Sequence, residues 1–404
     1  VSRREEDPLE LVVERLINGD GHSRRVFLKR MGAFGVVAGA GAALSACGGI
    51  AGERTSTDSG REFVSVRHPR TKIDSLRVSN WPLYIDKKTP KGWEAKYRAN
   101  LNYVEDINDN EEFFAKVRQE LQDGSSIGRD IVTLTDYMAA RWINAGYVEP
   151  MDRTNVPNAA NLVPSLASPS WDRNRDFTLP WQSGMTGIGY NPKKTGGKLK
   201  GIQDLFDPRF KGRVTFLTEW RDSVTLMLLG EGIKPDDATL DDVMQQIDKM
   251  DEAAKSGQIR RFTGNDYAKD LADGNVWACV AWSGDIVQLQ SDNPDLEFLI
   301  PEAGAGIWSD NMMIPQKAPH PYAAETWMNY YYDPRVAAQL VAYVNYVSPV
   351  VGAKKYVEDI DPGLAENQLI FPDEETQKRL YPDVNLTGAD DREATARMQE
   401  VAGA

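Results

Sequence analysis

The sequence predicts an α/β architecture in two lobes, and three observations carry that expectation. From about residue 73 onward, strand-like and helix-like segments alternate with short links, the order that covers a mostly parallel sheet with helices. The alternating part runs to roughly 330 residues, more than one core comfortably holds. A later strand over residues 307–314 is then followed by more helix, as if the chain returned to the first lobe.

The elements follow in order. "SLRVSN" is β-rich and ends at Trp81; "KGWEAKYRAN" reads as a helix and "LNYVEDI" as the next strand. "DNEEFFAKVRQELQDG" opens on Asp109, an N-cap residue, and closes on Gly124. "RDIVTLT" is a strand, and "DYMAARWINAG" a helix closed by Gly146. "MTGIGYN" and "GRVTFLT" are strands, with a helix after Trp220. Leu240, Val243, Ile247 and Met250 recur at three- and four-residue spacing in a long amphipathic helix bounded by Thr239 and Gly257. "NVWACVAWSG", "LEFLIP" and "WSDNMMIP" are strands, and two helices then meet at Pro334.

The first residues read as an export signal rather than as part of the fold. "SRRVFLK" precedes a mild apolar run, too short and too rich in Gly and Ala for a comfortable membrane span. The paired Arg24 and Arg25 resemble a twin-arginine signal, and "LSAC" resembles a lipobox whose Cys47 is acylated after cleavage. Residues 1–46 are therefore expected to be a twin-arginine lipoprotein signal peptide, and 47–72 a lipidated cysteine and flexible tether.

Composition excludes several classes. A net charge of −13 argues against nucleic acid. The three histidines are His22, inside the signal, and His68 and His320, both read as solvated loop residues. No Cys or His cluster has ligand spacing, and no phosphate loop or Ser-His-Asp pattern stands out, so no metal, cofactor or catalytic residue is expected. Cys279, within "VWACVAW", reads as a buried, inert thiol.

The chain does carry aromatic and acidic residues together where strands end. "SNWPLY" supplies Trp81 and Tyr84; "TLTDY" supplies Thr135, Asp136 and Tyr137; "FLTEWRDS" supplies Glu219, Trp220 and Asp222. "VAWSGD" adds Trp282 and Asp285, "GIWSDN" adds Trp308 and Asp310, and "VNYVSP" adds Tyr346. Trp308 and Asp310 share one face of their strand because side chains alternate. Ligands of open α/β sheets bind beyond the carboxyl ends of strands. A lining of ring faces and carboxylates suits a methylene chain punctuated by ammonium groups. Taken singly, each residue has a plainer explanation. Asp222, Asp285 and Asp136 fit helix caps, and Trp220 fits lobe packing. The coincidence over several strand ends favours a cleft.

In this order the motifs resemble the spermidine/putrescine-binding proteins of bacterial ABC importers. "NWPLYI", "RDIVTLTDYM", "FTLPWQSGMTGIGYN", "DLFDPRFKGRVTFLTEWRD", "VAWSGDIVQ", "GIWSDNMMIP" and "VNYVSP" are similar to that family's successive segments, over about residues 73 to 380. The resemblance implies a two-lobed periplasmic-binding-protein fold of type II, with a cleft between lobes joined by hinge crossings. It implies that Trp81 and Tyr84 line the first-lobe side, Thr135 and Tyr137 neighbour the ligand, and Glu219 and Asp222 hold a terminal amine. Trp282 stacks on methylenes, Asp285 matches an acid of putrescine-type members, Trp308 and Asp310 form an aromatic–acid pair, and Tyr346 closes the set. Leu83 stands where an acid often occurs, and no residue near the C-terminus matches the polar group that relatives supply.

The expected protein is thus a substrate-binding lipoprotein, not an enzyme. It captures a polyamine by hinge closure and delivers it to an ABC permease and its ATPase. It is expected to be exported by the twin-arginine route, anchored to the membrane through Cys47, and monomeric. Its lobes are residues 73–183 with 307–348, and 184–306 with 349–404. The alternatives are the same scaffold binding another amine, an opine-like compound or an amino-acid derivative, and a secreted carbohydrate-active enzyme using paired carboxylates.

Overall fold

The computed structural model describes residues 66–403. The expected export signal, Cys47 and most of the tether lie outside the described residues. The end of the expected tether is held on the fold. The His68 amide donates to Asp152 Oδ2 (3.2 Å), His68 Nδ1 lies 2.6 Å from Glu325 Oε1, and Arg70 Nε donates to Asn155 Oδ1 (3.3 Å). His68 is therefore not the solvated loop residue expected, since its side chain is 10% exposed against the fully buried Glu325. A carboxylate out of water needs such partners. His320 remains half-exposed beside Asp130.

The first alternating run is β1 (Ser75–Asn80), α1 (Lys88–Tyr97), β2 (Asn100–Glu105), α2 (Asn110–Gln122), β3 (Ile131–Thr135) and α3 (Asp136–Ala145). Asp109 caps α2 by accepting from the amides of Glu111 (2.8 Å) and Glu112 (3.0 Å). Helix α1 ends before Asn100 because Arg98 turns left-handed and Asn100 is already paired with Ser75 in the sheet. After the short β4 (Val148–Glu149) comes β5 (Thr178–Tyr190), much longer than the strand predicted from "MTGIGYN".

The second run is β6 (Val214–Leu217), α4 (Trp220–Gly230), α5 (Leu240–Lys255), β7 (Ile259–Thr263), α6 (Tyr267–Ala272), β8 (Ala278–Trp282) and α7 (Ser283–Gln290). Helix α5 starts in a reciprocal cap. The Asp242 carboxylate accepts from the amide and hydroxyl of Thr239, whose hydroxyl oxygen accepts from the Asp242 amide (3.3 Å). Then follow β9 (Glu297–Leu299), β10 (Ala305–Pro315), α8 (Pro321–Tyr331), α9 (Pro334–Val344), α10 (Ala353–Ile360), β11 (Leu380–Pro382) and α11 (Gly388–Ala402). Cys279 is fully buried in β8, as expected, with Sγ 3.5 Å from the Gly189 carbonyl oxygen.

The strands join in the order β2-β1-β3-β10-β5-β8-β6-β7. Strands β1, β2 and β3 are mutually parallel where they pair, as are β6, β7 and β8. The expectation of a mostly parallel sheet fails in the middle. There β10 is antiparallel to β3 and β5, and β5 is antiparallel to β8. Every residue of β5 is buried, so its apolar run does not encode its direction. The two middle strands cross between the halves, and a register shift between Asp310 and Asn311 leaves Trp181 of β5 bulged out of the ladder.

After residue 348 the chain makes two separate sets of contacts. Helix α10 packs on α9, and the Pro349 carbonyl accepts from the Val163 amide (2.9 Å). Helix α11 lies instead against α5, where Arg397 Nη2 reaches Asp248 (2.9 Å) and Asp251 (2.6 Å).

In the crossing pair, Trp308 sits opposite Gly184. A β-carbon at Gly184 would overlap the Trp308 indole. Gly184→Ala is expected to lower stability by about 1–3 kcal/mol, read as a shift in the denaturation midpoint. An unchanged midpoint would mean that the indole is not tightly seated.

Candidate functional site

The two halves of the sheet meet at a cleft of about 660 Å³, open solvent at its mouth included. All the expected ligand-binding residues line it: Trp81, Tyr84, Thr135, Tyr137, Glu219, Asp222, Trp282, Asp285, Trp308, Asp310 and Tyr346. They come from the loop after β1, the β3–α3 and β6–α4 junctions, the β8–α7 junction, the middle of β10 and the loop after α9.

The rings form one connected chain. Trp81 meets Trp282 edge-on with centroids 6.4 Å apart, and Trp282 meets Trp308 at 6.1 Å. Trp308 lies 5.8 Å from Tyr346, which lies 5.2 Å from Tyr84. The indole nitrogens are each held by a hydrogen bond. Trp81 Nε1 donates to the Thr133 carbonyl (3.1 Å), Trp308 Nε1 to Thr186 Oγ1 (3.0 Å) and Trp282 Nε1 to Asp222 Oδ1 (3.3 Å). With their N–H groups bound, the rings remain as packing faces for a ligand.

The acids fall into two kinds. Glu219 has a fixed cation, since Arg221 Nη1 lies 3.3 Å from its Oε1, while Tyr137 Oη (2.6 Å) and Asn110 Nδ2 (3.3 Å) donate to its Oε2. Asp310, Asp285 and Asp222 meet neutral donors among the described residues. Thr135 Oγ1 donates to Asp310 Oδ1 (2.8 Å). Tyr346 and Tyr267 hydroxyls donate to Asp285 (2.8 and 2.7 Å). The Thr186 hydroxyl donates to Asp222 alongside Trp282. Burial raises the pKa of each. For Asp310 burial pushes the pKa up to about 7, with the Thr135 hydrogen bond opposing.

Asp222 and Asp285 had fitted helix caps, yet each side chain turns away from its own helix amides and into the cleft. Asp136 is not a cap either. It accepts from the Ser309 amide (3.0 Å) and Asn311 Nδ2 (2.8 Å), tying α3 to β10. Trp220 does pack, with Nε1 donating to Thr395 Oγ1 of α11 (3.2 Å).

Sequence reasoning missed Arg221, Asn110 and Asp383, all of which line the cleft. Arg221 stood in the quoted "TEWRDS", where its charge beside two acids was a usable signal. Asn110 stands at a helix start in the sequence, and in the fold it bridges Thr135 and Glu219. Asp383 follows β11, which pairs with the start of β10 and carries this acid to the cleft. Its Oδ1 is buried without a hydrogen-bond partner, and burial together with the nearby Asp222 charge raises its pKa. No local pattern marks it.

A family model described as bacterial extracellular solute-binding protein matches residues 94–366. The chain is 27% identical over 350 residues to the putrescine-binding periplasmic protein of Pseudomonas aeruginosa, covering 81% of this chain and 91% of that one. Among solved structures, a spermidine/putrescine ABC transporter substrate-binding protein from Streptococcus pneumoniae superposes with a TM-score of 0.67 at 22% identity, covering 81% and 98% of the two chains. A lipoprotein of Treponema pallidum superposes with a TM-score of 0.69 at 20% identity, covering 82% and 100%. The two superpositions share the fold.

The raised Asp310 pKa has a stability consequence. An unfolded aspartate ionises near about 4, whereas the native one holds its proton to about 7. The contribution to stability is complete below about pH 4 and is lost as pH rises through about 7. The thermal midpoint of the protein without ligand should therefore fall across that interval, and Asp310→Asn should flatten the fall. An equal slope in the variant would show that Asp310 does not titrate there.

Proposed function

Because the chain belongs to the bacterial extracellular solute-binding proteins, we propose that its cleft captures a linear polyamine and that closure of the two halves presents it to an ABC permease and its ATPase. The observation that carries this reading is the pairing of a continuous aromatic chain with buried carboxylates that meet no fixed cation among the described residues. Buried anions without a cation favour a ligand that brings one. Each ring face adds about 0.5–2 kcal/mol per ammonium contact, and each buried methylene about 0.8 kcal/mol.

In this reading Asp310 and Asp285 hold one ammonium region, and Asp222 with Asp383 holds another. Trp81, Trp282, Trp308, Tyr84 and Tyr346 enclose the methylenes between them. Thr135 and Tyr137 hold Asp310 and Glu219 in place. Glu219 acts with Arg221, so its charge is already partly met. Ligand contacts from both halves favour the closed state, which is the state a permease would recognise. The lobes divide near residues 183 and 306, with α11 on the second. Twin-arginine export and a lipid anchor on Cys47 complete the proposed location, and the protein acts as a monomer without covalent chemistry.

Calorimetry of the purified protein against putrescine, spermidine, spermine and amino acids tests this. Saturable one-to-one binding of at least one polyamine is expected, and silence toward all of them would sink the ligand assignment. Asp310→Asn should weaken that binding by about 2 kcal/mol or more. An unchanged affinity would return Asp310 to a structural role. Turnover of an oligosaccharide would favour a hydrolase instead.

A further inference from the structure

Helix α11 does not line the cleft, yet its first turn sets Asp391 against Arg221 of the cleft wall. The Asp391 carboxylate is gripped by two guanidiniums from opposite halves of the sheet. Arg141 of α3 donates to Asp391 Oδ2 through Nη2 (2.8 Å), and Arg221 of α4 donates to Oδ1. The Arg221 and Arg141 guanidiniums lie 3.6 Å and 5.8 Å from the centroid of the same Tyr137 ring. That ring and Arg221 are part of the cleft wall. We propose that Arg141 and Asp391 are positioning residues forming a closure latch: they touch no ligand, but join the halves behind Tyr137 and set how long a ligand stays bound.

The partners on each side make such a latch reversible. Arg141 also pairs with Glu111 of α2 (2.8 Å), on its own half. Asp391 also pairs with Arg221, and α11 is fixed to α5 through Arg397 and to Trp220 through Thr395. Opening the cleft breaks the Arg141–Asp391 contact, yet each charge keeps a partner on its own side. Neither Arg141 nor Asp391 is then left without an opposite charge in either state, which keeps the cost of parting them low. Arg221 is 3% exposed and Asp391 13%, whereas Arg141 is 29% exposed. The bridge is therefore partly shielded from salt but still solvated enough to part.

The latch rests on the binding role proposed above, and the experiment separates the two. Arg141→Gln and Asp391→Asn, singly and together, are compared with the unaltered protein in two ways. Putrescine dissociation is followed by stopped-flow tryptophan fluorescence, and the radius of gyration without ligand by small-angle scattering. Each single variant should release putrescine about three- to tenfold faster with association within about twofold, and should shift the ligand-free protein toward a larger radius. The double variant should release putrescine no faster than Asp391→Asn alone, because the Arg141–Asp391 contact is already absent there. Unchanged dissociation and scattering would overturn the latch, and so would additive effects. An Asp391→Asn effect without an Arg141→Gln effect would also overturn it, leaving Asp391 as Arg221's local partner. If no polyamine binds the unaltered protein, the ligand assignment fails on its own, while the scattering comparison still tests the latch.

Discussion

Strands β5 and β10 run antiparallel through the middle of the sheet, and the parallel strands on either side can share one sheet only through them. Each crossing strand pairs with its neighbour along one half and with a different set beyond it. The β3 end of the sheet is joined through β10, and the β8 end through β5. This arrangement turns the carboxyl ends of both parallel sets toward one cleft, where open α/β sheets place ligands. It also explains why Trp308 and Asp310 lie in a central strand rather than in a loop. Their strand is the seam, and Gly184 opposite Trp308 leaves space for the indole to lie across it.

Electrostatics follow from that closure. Carboxylates carried to strand ends by the fold become buried once the halves meet, and burial alone would make them poor anions. The chain answers in two ways. Glu219 is given Arg221, and Arg221 is in turn shared with Asp391. Asp310, Asp285 and Asp222 are given hydroxyl and indole donors, which orient them without neutralising them. A cavity of the second kind favours a cationic visitor, and the connected rings confine its apolar portions.

Much of this was legible in the chain. The caps at Asp109 and Thr239, the helices broken at Pro334 and the aromatic–acid pairs at strand ends are local patterns, and local geometry follows from them. Direction was not legible in β5, because a strand buried on both faces reads the same whichever way it runs. Nor were the roles of Asp136, Asp222 and Asp285, where a cap and a long-range hydrogen bond begin from the same short side chain next to the same helix start. His68 looked like loop because the group that buries it, Glu325, lies far along the chain.

The sequence by itself determined which residues stand at strand ends, since alternation and capping act over a few positions. It also determined that rings and acids occur there together. Only the tertiary structure decided which acid meets a cation and which meets a hydroxyl, because those partners arrive from distant segments: Thr135 at Asp310, Tyr346 at Asp285, Asp391 at Arg221. The same holds for Asp383, an unremarkable acid in sequence that β11 carries to the cleft. Hydrogen bonds form between groups that folding brings within about 3 Å, and nothing in the local pattern records that distance.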